Sequence, residues 1–208
     1  MEKVLDCYEK PYNEDYPVVC FDERPCQLIE DVMQPMLAQE GRPKREDYHY
    51  KRNGTATVLA AVEPLIGKRI VEVRKQKTKK DYAEFMKELA NHYPKAKKII
   101  LIQDNLNTHN PSSFYENMLA KEAFALSQRF EMIYTPKKAS WLNMAEIEFS
   151  ALSKQCLDRR IGDLKILTKE VNAWTRKRNK YKIKINWQFT KNNARKKFDR
   201  FYNDTINN

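Results

Sequence analysis

Two short apolar runs that each end on an aspartate place the strongest constraint on how this chain can fold. PVVCFDER (17–24) and KKIILIQD (97–104) are rich in β-branched residues, so they predict buried strands that end at Asp22 and Asp104. A carboxylate next to a buried strand is costly to desolvate without a partner. A hard divalent cation is one such partner, because Mg²⁺ prefers carboxylate oxygens. The alternative for either acid taken singly is a solvated turn residue.

The other elements predict an α/β domain with a mixed sheet, because strands are interrupted by helices. Three further strands are expected at TATVLAAVEP (55–64), KRIVEVRK (68–75) and FEMIYTP (130–136). The first two of these form a hairpin through Pro64 and Gly67. Helices are expected near 78–92 (capped by Thr78 or Asp81), 112–119, 121–129, 142–157 and 163–181.

The domain organisation that follows has three parts. Residues 1–16 are expected to be an irregular lead-in, and 17–160 a single core. Residues 161–208 are expected to form a basic helical extension packed on that core. Within the core, the charged stretch 35–54, with its Pro and Gly residues, predicts a long loop.

A third acid is predicted on the helix that begins near Leu142. Glu146 and Glu148 are two residues apart, so their side chains point about 200° from each other and only one of them can face the sheet. Glu146 lies at the edge of the apolar stripe of this helix, whereas Glu148 is expected further round, towards solvent. The stripe consists of Leu142, Ala145, Phe149 and Leu152.

The net charge of +11 is concentrated near the C-terminus. Residues 1–164 carry 26 Lys and Arg against 25 Asp and Glu, whereas residues 165–200 carry 13 against 2. Such a patch suits a polyanion, with a nucleic acid as the first candidate. A solvated, lysine-rich helical face is the alternative.

The cysteines, the histidines and the apolar runs argue against several other classes of protein. The four cysteines and three histidines are scattered, so neither a zinc site nor a disulfide framework is expected, and Cys20 is predicted to be a buried thiol. The longest apolar runs are far below the roughly 18 residues of a membrane span. The N-terminus lacks the apolar core of a signal peptide. We therefore expect a cytoplasmic protein with no membrane partner.

Several motifs resemble the IS630-type transposases of the Tc1/mariner superfamily. QDNLNTH (103–109) together with SWLNMAE (140–146) is highly specific, whereas FDERP (21–25) alone would be weak. The resemblance extends over nearly the whole chain. It also includes GRPKREDYHYKRNGTATVL (41–59), TPKKASWLNMAEIE (135–148) and LSKQCLDRRI (152–161).

This resemblance implies an RNase H-like fold, with a mixed five-stranded sheet flanked by helices, and a DDE triad of metal ligands. The first two acids of the triad match Asp22 and Asp104. The L-N-x-x-E motif matches Leu142 to Glu146, which selects Glu146 over Glu148. The cofactors implied are two Mg²⁺ or Mn²⁺ ions, and the activity is cleavage at the ends of an insertion sequence followed by strand transfer.

The chain departs from this family in two respects. Between Asp104 and Glu146 lie 41 residues, which is longer than in many relatives. Relatives usually begin with helix-turn-helix domains, so a split reading frame, a truncated copy or an excised domain is expected here. The implied partners are DNA (element ends and target), a second copy in a homodimer, and a separate helix-turn-helix protein or reading frame. The implied location is the nucleoid of a prokaryotic cell.

Nine residues are further candidates for contacts with DNA, each with a structural alternative. The alternatives are a strand-end cap, a loop histidine, helix-start packing or exposed charge. Three other residues are not candidates: Trp174 and Trp187 are expected in the core, and Glu23 is expected only beside the site. The candidates are Asn105, His109, Lys51, Arg52, Trp141, Arg176, Lys177, Arg178 and Lys180.

Two other functions remain open at this point. One is a DNA-binding protein that derives from a transposase but has lost catalysis, and the intact acids argue against it. The other is a host RNase H-like nuclease or junction resolvase, against which the DNLNTH and LNMAEIE motifs argue.

Overall fold

The computed structural model describes residues 1–33, 36, 38–43 and 47–199. Five strands form one sheet, and they are β1 (Val18–Asp31), β2 (Tyr50–Glu63), β3 (Lys68–Arg74), β4 (Ile99–Gln103) and β5 (Phe130–Tyr134). Their order across the sheet is β3-β2-β1-β4-β5. The β1–β2 and β2–β3 pairs are antiparallel, and β1–β4 and β4–β5 are parallel. The predicted mixed five-stranded sheet is therefore confirmed.

Helices cover both faces of the sheet. They are α1 (Glu2–Glu9), α2 (Lys79–Asn91), α3 (Ser112–Tyr115), α4 (Ala120–Gln128), α5 (Ala145–Gln155), α6 (Leu164–Lys180) and α7 (Lys191–Lys197). A 3₁₀ turn at Ser140–Leu142 precedes α5. In the described part of the chain, no helix is long and apolar enough to cross a membrane.

Alternation along β1 and β4 divides the apolar side chains between two sides of the sheet. Phe21 and Leu101 pack on one side, together with α2, α3 and α4. Cys20 and Ile102 pack on the other side, which α1, α5, α6 and α7 cover. Cys20 is fully buried, as predicted. Trp174 and Trp187 are only partly buried at the margins of this second core.

The first strand is longer than its apolar run predicted. β1 does not end at residue 24 but continues to Asp31, because β2 pairs with it as far as Tyr50. Backbone hydrogen bonds to β2 thus hold the polar residues after Asp22 in a strand. Residues 50–54, which were predicted to belong to the loop, are part of β2. Residues 35, 37 and 44–46 of that loop, and residue 34 before it, lie outside the described part of the chain.

The predicted lead-in is also ordered, which corrects the expectation for residues 1–16. Val4, Leu5 and Cys7 of α1 are buried in the second core. Lys191 of α7 pairs with Asp6 of α1, so these two helices meet although they are far apart in sequence. Neither helix is long enough for its apolar pattern to be read from sequence alone. Residues 200–208 of the predicted extension lie outside the described residues.

Candidate active site

Register places Asp22 and Asp104 beside each other at the carboxyl end of β4. Cys20 pairs with Ile102, and each aspartate lies two residues further along its own strand direction. Neighbouring strands lie about 4.8 Å apart, so the two backbones are close at this level. Asp104 directly follows β4 as predicted, but Asp22 lies inside β1 because that strand continues.

Asn143 connects the beginning of α5 to β1 at Asp22. Its Nδ2 donates to the Phe21 carbonyl oxygen at 2.8 Å and lies 3.4 Å from Asp22 Oδ2. Its Oδ1 accepts from the Ala145 backbone N–H at 3.2 Å. Glu146 therefore stands in the first turn of a helix whose start is tied to Asp22. The sequence analysis did not single out Asn143, although it is the N of the L-N-x-x-E motif.

The pKa of the Asp22 carboxyl responds first to burial and then to the charges around it. Burial raises the pKa of Asp22 to about 6, and the negative charges of Glu146 and Asp104 act in the same direction. The Glu23 backbone N–H, which donates to Asp22 Oδ1 at 2.8 Å, and the charge of His109 partly oppose this increase in the pKa. The negative charge of Asp22 is thus only partly compensated, and a bound cation would supply the missing positive charge.

The donor chemistry fits a hard divalent cation. Three carboxylates offer only oxygen ligands, which Mg²⁺ and Mn²⁺ accept, and no sulfur ligand competes. Among the described residues, no three carboxylate, imidazole or thiol groups already converge closely enough to hold an ion. The fit therefore depends on the donor set and on the poorly compensated carboxylate of Asp22.

His109 is buried beside the acids and is fully engaged, which corrects its expected role as a contact to the scissile phosphate. Nδ1 lies 2.5 Å from Asp104 Oδ1, and Nε2 lies 3.2 Å from Glu23 Oε1. Burial alone would lower the pKa of His109, but these two hydrogen bonds raise it to about 9. With both ring nitrogens occupied, the imidazole holds Asp104 in place. Glu23 is likewise part of the site, with a side chain only 3% exposed.

Glu148 does not point towards solvent as predicted. Its carboxylate is buried between two guanidinium groups, those of Arg69 and Arg178. Burial raises the pKa of Glu148, but the hydrogen bonds and charges of the two arginines outweigh that and lower it. Arg178 is consequently withdrawn from the predicted DNA contacts, because its guanidinium is paired inside the fold.

The other predicted DNA contacts lie at different distances from the acids. Lys51 and Arg52 are exposed near the far end of the β1–β2 hairpin, where Lys51 pairs with Glu30. Glu30 is eight residues beyond Asp22, or roughly 26 Å along the strand. The structure does not bring these two cations to the acids.

Trp141 and the remaining cations are exposed. Trp141 is 43% exposed in the 3₁₀ turn before α5, and its ring stacks on Trp187 at 6.4 Å between centroids. Asn105 is exposed directly after Asp104. Three cations of α6 also face solvent, and these are Arg176, Lys177 and Lys180.

Strand order, mixed pairing and acids at the centre of the sheet define an α/β domain with an RNase H-like fold. A family model described as DDE superfamily endonuclease matches residues 17–168, so this chain belongs to that family. Among curated proteins, none matches the chain.

Solved structures of the Mos1 mariner transposase have the same fold. The paired-end complex with Mn has a TM-score of 0.60 at 14% identity, covering 88% of this chain and 54% of that one. A complex with the left transposon end has a TM-score of 0.59 at 12% identity, covering 84% and 52%. A pre-cleavage transpososome gives 0.57 at 12% identity, covering 90% and 61%. The chain thus spans little more than half the length of these proteins.

Proposed function

We propose that this chain is the catalytic domain of an IS630-type DDE transposase, which cleaves DNA strands at the ends of an insertion sequence and joins them to target DNA. The observation that carries the proposal is geometric: strand register sets Asp22 beside Asp104, and Asn143 ties the start of the helix that carries Glu146 to Asp22. Membership of the DDE endonuclease family supports the class of reaction. The IS630 assignment is supported by QDNLNTH and SWLNMAE.

Each residue of the site has a distinct part in this reaction. Asp22, Asp104 and Glu146 would hold two Mg²⁺ or Mn²⁺ ions. Such ions would supply Lewis-acid activation of the attacking oxygen and stabilisation of the leaving oxygen. Asn143 orients Asp22 and the beginning of α5, and His109 orients Asp104. These contacts would keep Asp22, Asp104 and the start of α5 in place at the centre of the sheet before DNA arrives.

DNA is the partner that the charge distribution supports. Arg176, Lys177 and Lys180 are exposed on α6 and are proposed to contact the phosphate backbone, with Lys51 and Arg52 contacting DNA further from the acids. Asn105 and Trp141 are proposed to meet DNA near the acids, with Trp141 stacking on an unpaired base. We further propose that the active form pairs two element ends in a homodimer and uses a separate helix-turn-helix protein. Two of the Mos1 structures are paired-end complexes of that protein.

A nicking and joining assay tests the proposal. The substrates are supercoiled plasmid, for strand cleavage, and an oligonucleotide with a free 3′-hydroxyl, for joining. Asp22→Asn, Asp104→Asn and Glu146→Gln should each abolish both reactions in Mg²⁺ or Mn²⁺, with circular dichroism unchanged. Glu122→Gln is the matched control, because Glu122 is an exposed acid on α4. Full activity in any of the three acid variants would refute the triad.

The same assay distinguishes the two other functions. Cleavage without joining would indicate a host RNase H-like nuclease. DNA binding without cleavage would indicate a DNA-binding protein derived from a transposase.

A further inference from the structure

A buried ion cluster lies two residues beyond Glu146 on the same helix. Arg69 donates from Nε to Glu148 Oε2 at 2.9 Å and from Nη2 to Oε1 at 2.6 Å. Arg178 does the same at 2.9 and 2.8 Å. Both pairs are bidentate, which restricts the position of the carboxylate more than a single contact would.

The two arginines come from elements that are themselves held together. Arg69 lies on β3, and its guanidinium also donates to the Gly67 carbonyl at 2.7 Å and to the Ile183 carbonyl at 2.5 Å. Its backbone exchanges two hydrogen bonds of 2.8 Å with the side-chain amide of Asn179 on α6. The two guanidinium groups that bind Glu148 therefore lie where β3 and α6 are hydrogen-bonded to each other, which restricts their movement.

The position of this cluster in the sheet relates it to the three acids. Arg69 pairs with Val62, and Val62 pairs with Cys20, so all three lie in one row across the sheet. The row of Asp22 is the next one on the same face. The segment around Glu146 is thus attached on both sides. Before Glu146, Asn143 bonds to β1, and after it, Glu148 bonds to β3 and α6.

Stability alone does not account for this cluster. Replacing a buried ion pair by apolar groups of similar volume is often neutral or stabilising. Two guanidiniums around one carboxylate also leave a buried positive charge. What the cluster does provide is a single rotation and axial position for α5, because four N–H donors from two elements meet one carboxylate.

We propose that Arg69, Glu148 and Arg178 form a positioning unit that orients α5 so that Glu146 reaches the metal ions bound by Asp22 and Asp104. This inference rests on the metal centre of the proposed function. It also makes α6, which carries the exposed cations, a structural part of the active site.

Mn²⁺ affinity of the whole chain, measured by electron paramagnetic resonance of free Mn²⁺ without DNA, tests the proposal. Glu148→Gln and Arg178→Lys keep the volume of the cluster but disrupt its charge or its bidentate geometry. Each should weaken Mn²⁺ binding by at least about tenfold, as is typical of residues that orient metal ligands. If Glu148→Gln does not fold, Arg178→Lys carries the test.

Leu89→Ala is the matched control, because it removes fully buried volume on α2, on the other side of the sheet. It should lower the Tm and leave the Mn²⁺ affinity unchanged. If Glu148→Gln and Arg178→Lys bind Mn²⁺ as tightly as Leu89→Ala does, while Glu146→Gln has lost binding, the positioning role is refuted and the metal centre stands. If Mn²⁺ binding does not need Glu146, the metal centre and the positioning role are both refuted.

Discussion

Buried polar side chains control the geometry around Asp22, and each has its partner elsewhere in the chain. His109 joins Asp104 to Glu23, and Asn143 joins α5 to β1. Leaving a buried polar group without its partner costs more free energy than the hydrogen bond contributes net to stability. Single substitutions at these positions should therefore have large effects on stability.

Replacing His109 by alanine tests this expectation. Among the described residues, Glu23 would then be a buried carboxylate whose remaining cationic partner is Lys77, 3.8 Å away. We expect a loss of about 3–5 kcal/mol in the free energy of unfolding, as when one partner of a buried pair is removed. Urea denaturation measures it. The double variant His109→Ala with Glu23→Gln should recover part of the loss, whereas strictly additive losses would contradict the coupling.

Glu63 gives a pH-dependent prediction at a site far from the acids. It is buried at the end of β2, accepts from Tyr93 Oη at 2.8 Å, and its Oε1 has no partner among the described residues. Burial raises its pKa above the ordinary value of 4.5. The protonated form of Glu63 is therefore the one that favours the folded state. The stability that it contributes is fully present below pH 4.5 and is lost as the pH rises through the raised pKa of the folded state.

Glu63→Gln removes this charge and keeps an acceptor for Tyr93. The variant should have a higher Tm than the wild type at pH 7, and the difference should disappear towards pH 4. Thermal unfolding across this pH range measures it. Exposed Glu122→Gln should show no such trend, and an equal Tm for Glu63→Gln and the wild type at pH 7 would contradict the prediction.

At the scale of elements, local signals and tertiary contacts contribute differently to each helix. α2 begins at a capping box in which both candidates from the sequence take part, with Thr78 as N-cap and Asp81 three residues later. The N-cap residue of α5, Met144, makes no side-chain hydrogen bond, and this helix depends on Asn143, which ties its start to β1, and on its attachments to β3 and α6. The first kind of helix can be located from sequence, whereas the orientation of the second cannot.

The cap of α2 should therefore contribute measurably by itself. Thr78→Ala should lower the free energy of unfolding by about 1 kcal/mol, because the Asp81 backbone N–H loses its acceptor. Lys87→Ala, an exposed change on the same helix, should stay within about 0.5 kcal/mol of the wild type. Urea denaturation compares the two, and equal losses would show that the capping box is not needed.

At the scale of the whole molecule, the excess positive charge of the C-terminal part lies partly on α6, which packs along β3 beside α5. Its exposed cations are on the same side of the sheet as α5 rather than on a separate tail. DNA bound by them would lie against the same side of the domain as Glu146.

Removing three of these charges should change how DNA binding depends on salt. We expect Arg176→Gln, Lys177→Gln and Lys180→Gln together to weaken affinity. They should also reduce the slope of log affinity against log salt by about one for each lost phosphate contact. Fluorescence anisotropy in EDTA measures this. Lys87→Gln with Lys121→Gln, on α2 and α4, is the control, and an equal slope in both variants would place the DNA elsewhere.

The sequence by itself determined the α/β class, the approximate position of all five strands and the identity of three candidate acids. Each depends on neighbouring residues: an apolar run, a turn signal, or an acid directly after a strand. The L-N-x-x-E pattern selected Glu146 for the same reason. All of these features involve residues that are neighbours in the sequence, so they can be recognised without the structure.

Only the tertiary structure decided which polar groups are buried and with what partners. Glu148 looked exposed on its helix, but its partners Arg69 and Arg178 are 79 and 30 residues away. β1 passes through Asp22 because β2, from beyond a long connection, supplies its hydrogen bonds. α1 forms because α7, from the other end of the chain, packs against it. Each outcome depends on groups distant in sequence. For Glu148, burial also makes the pairing obligatory, because an unpaired buried charge costs several kcal/mol.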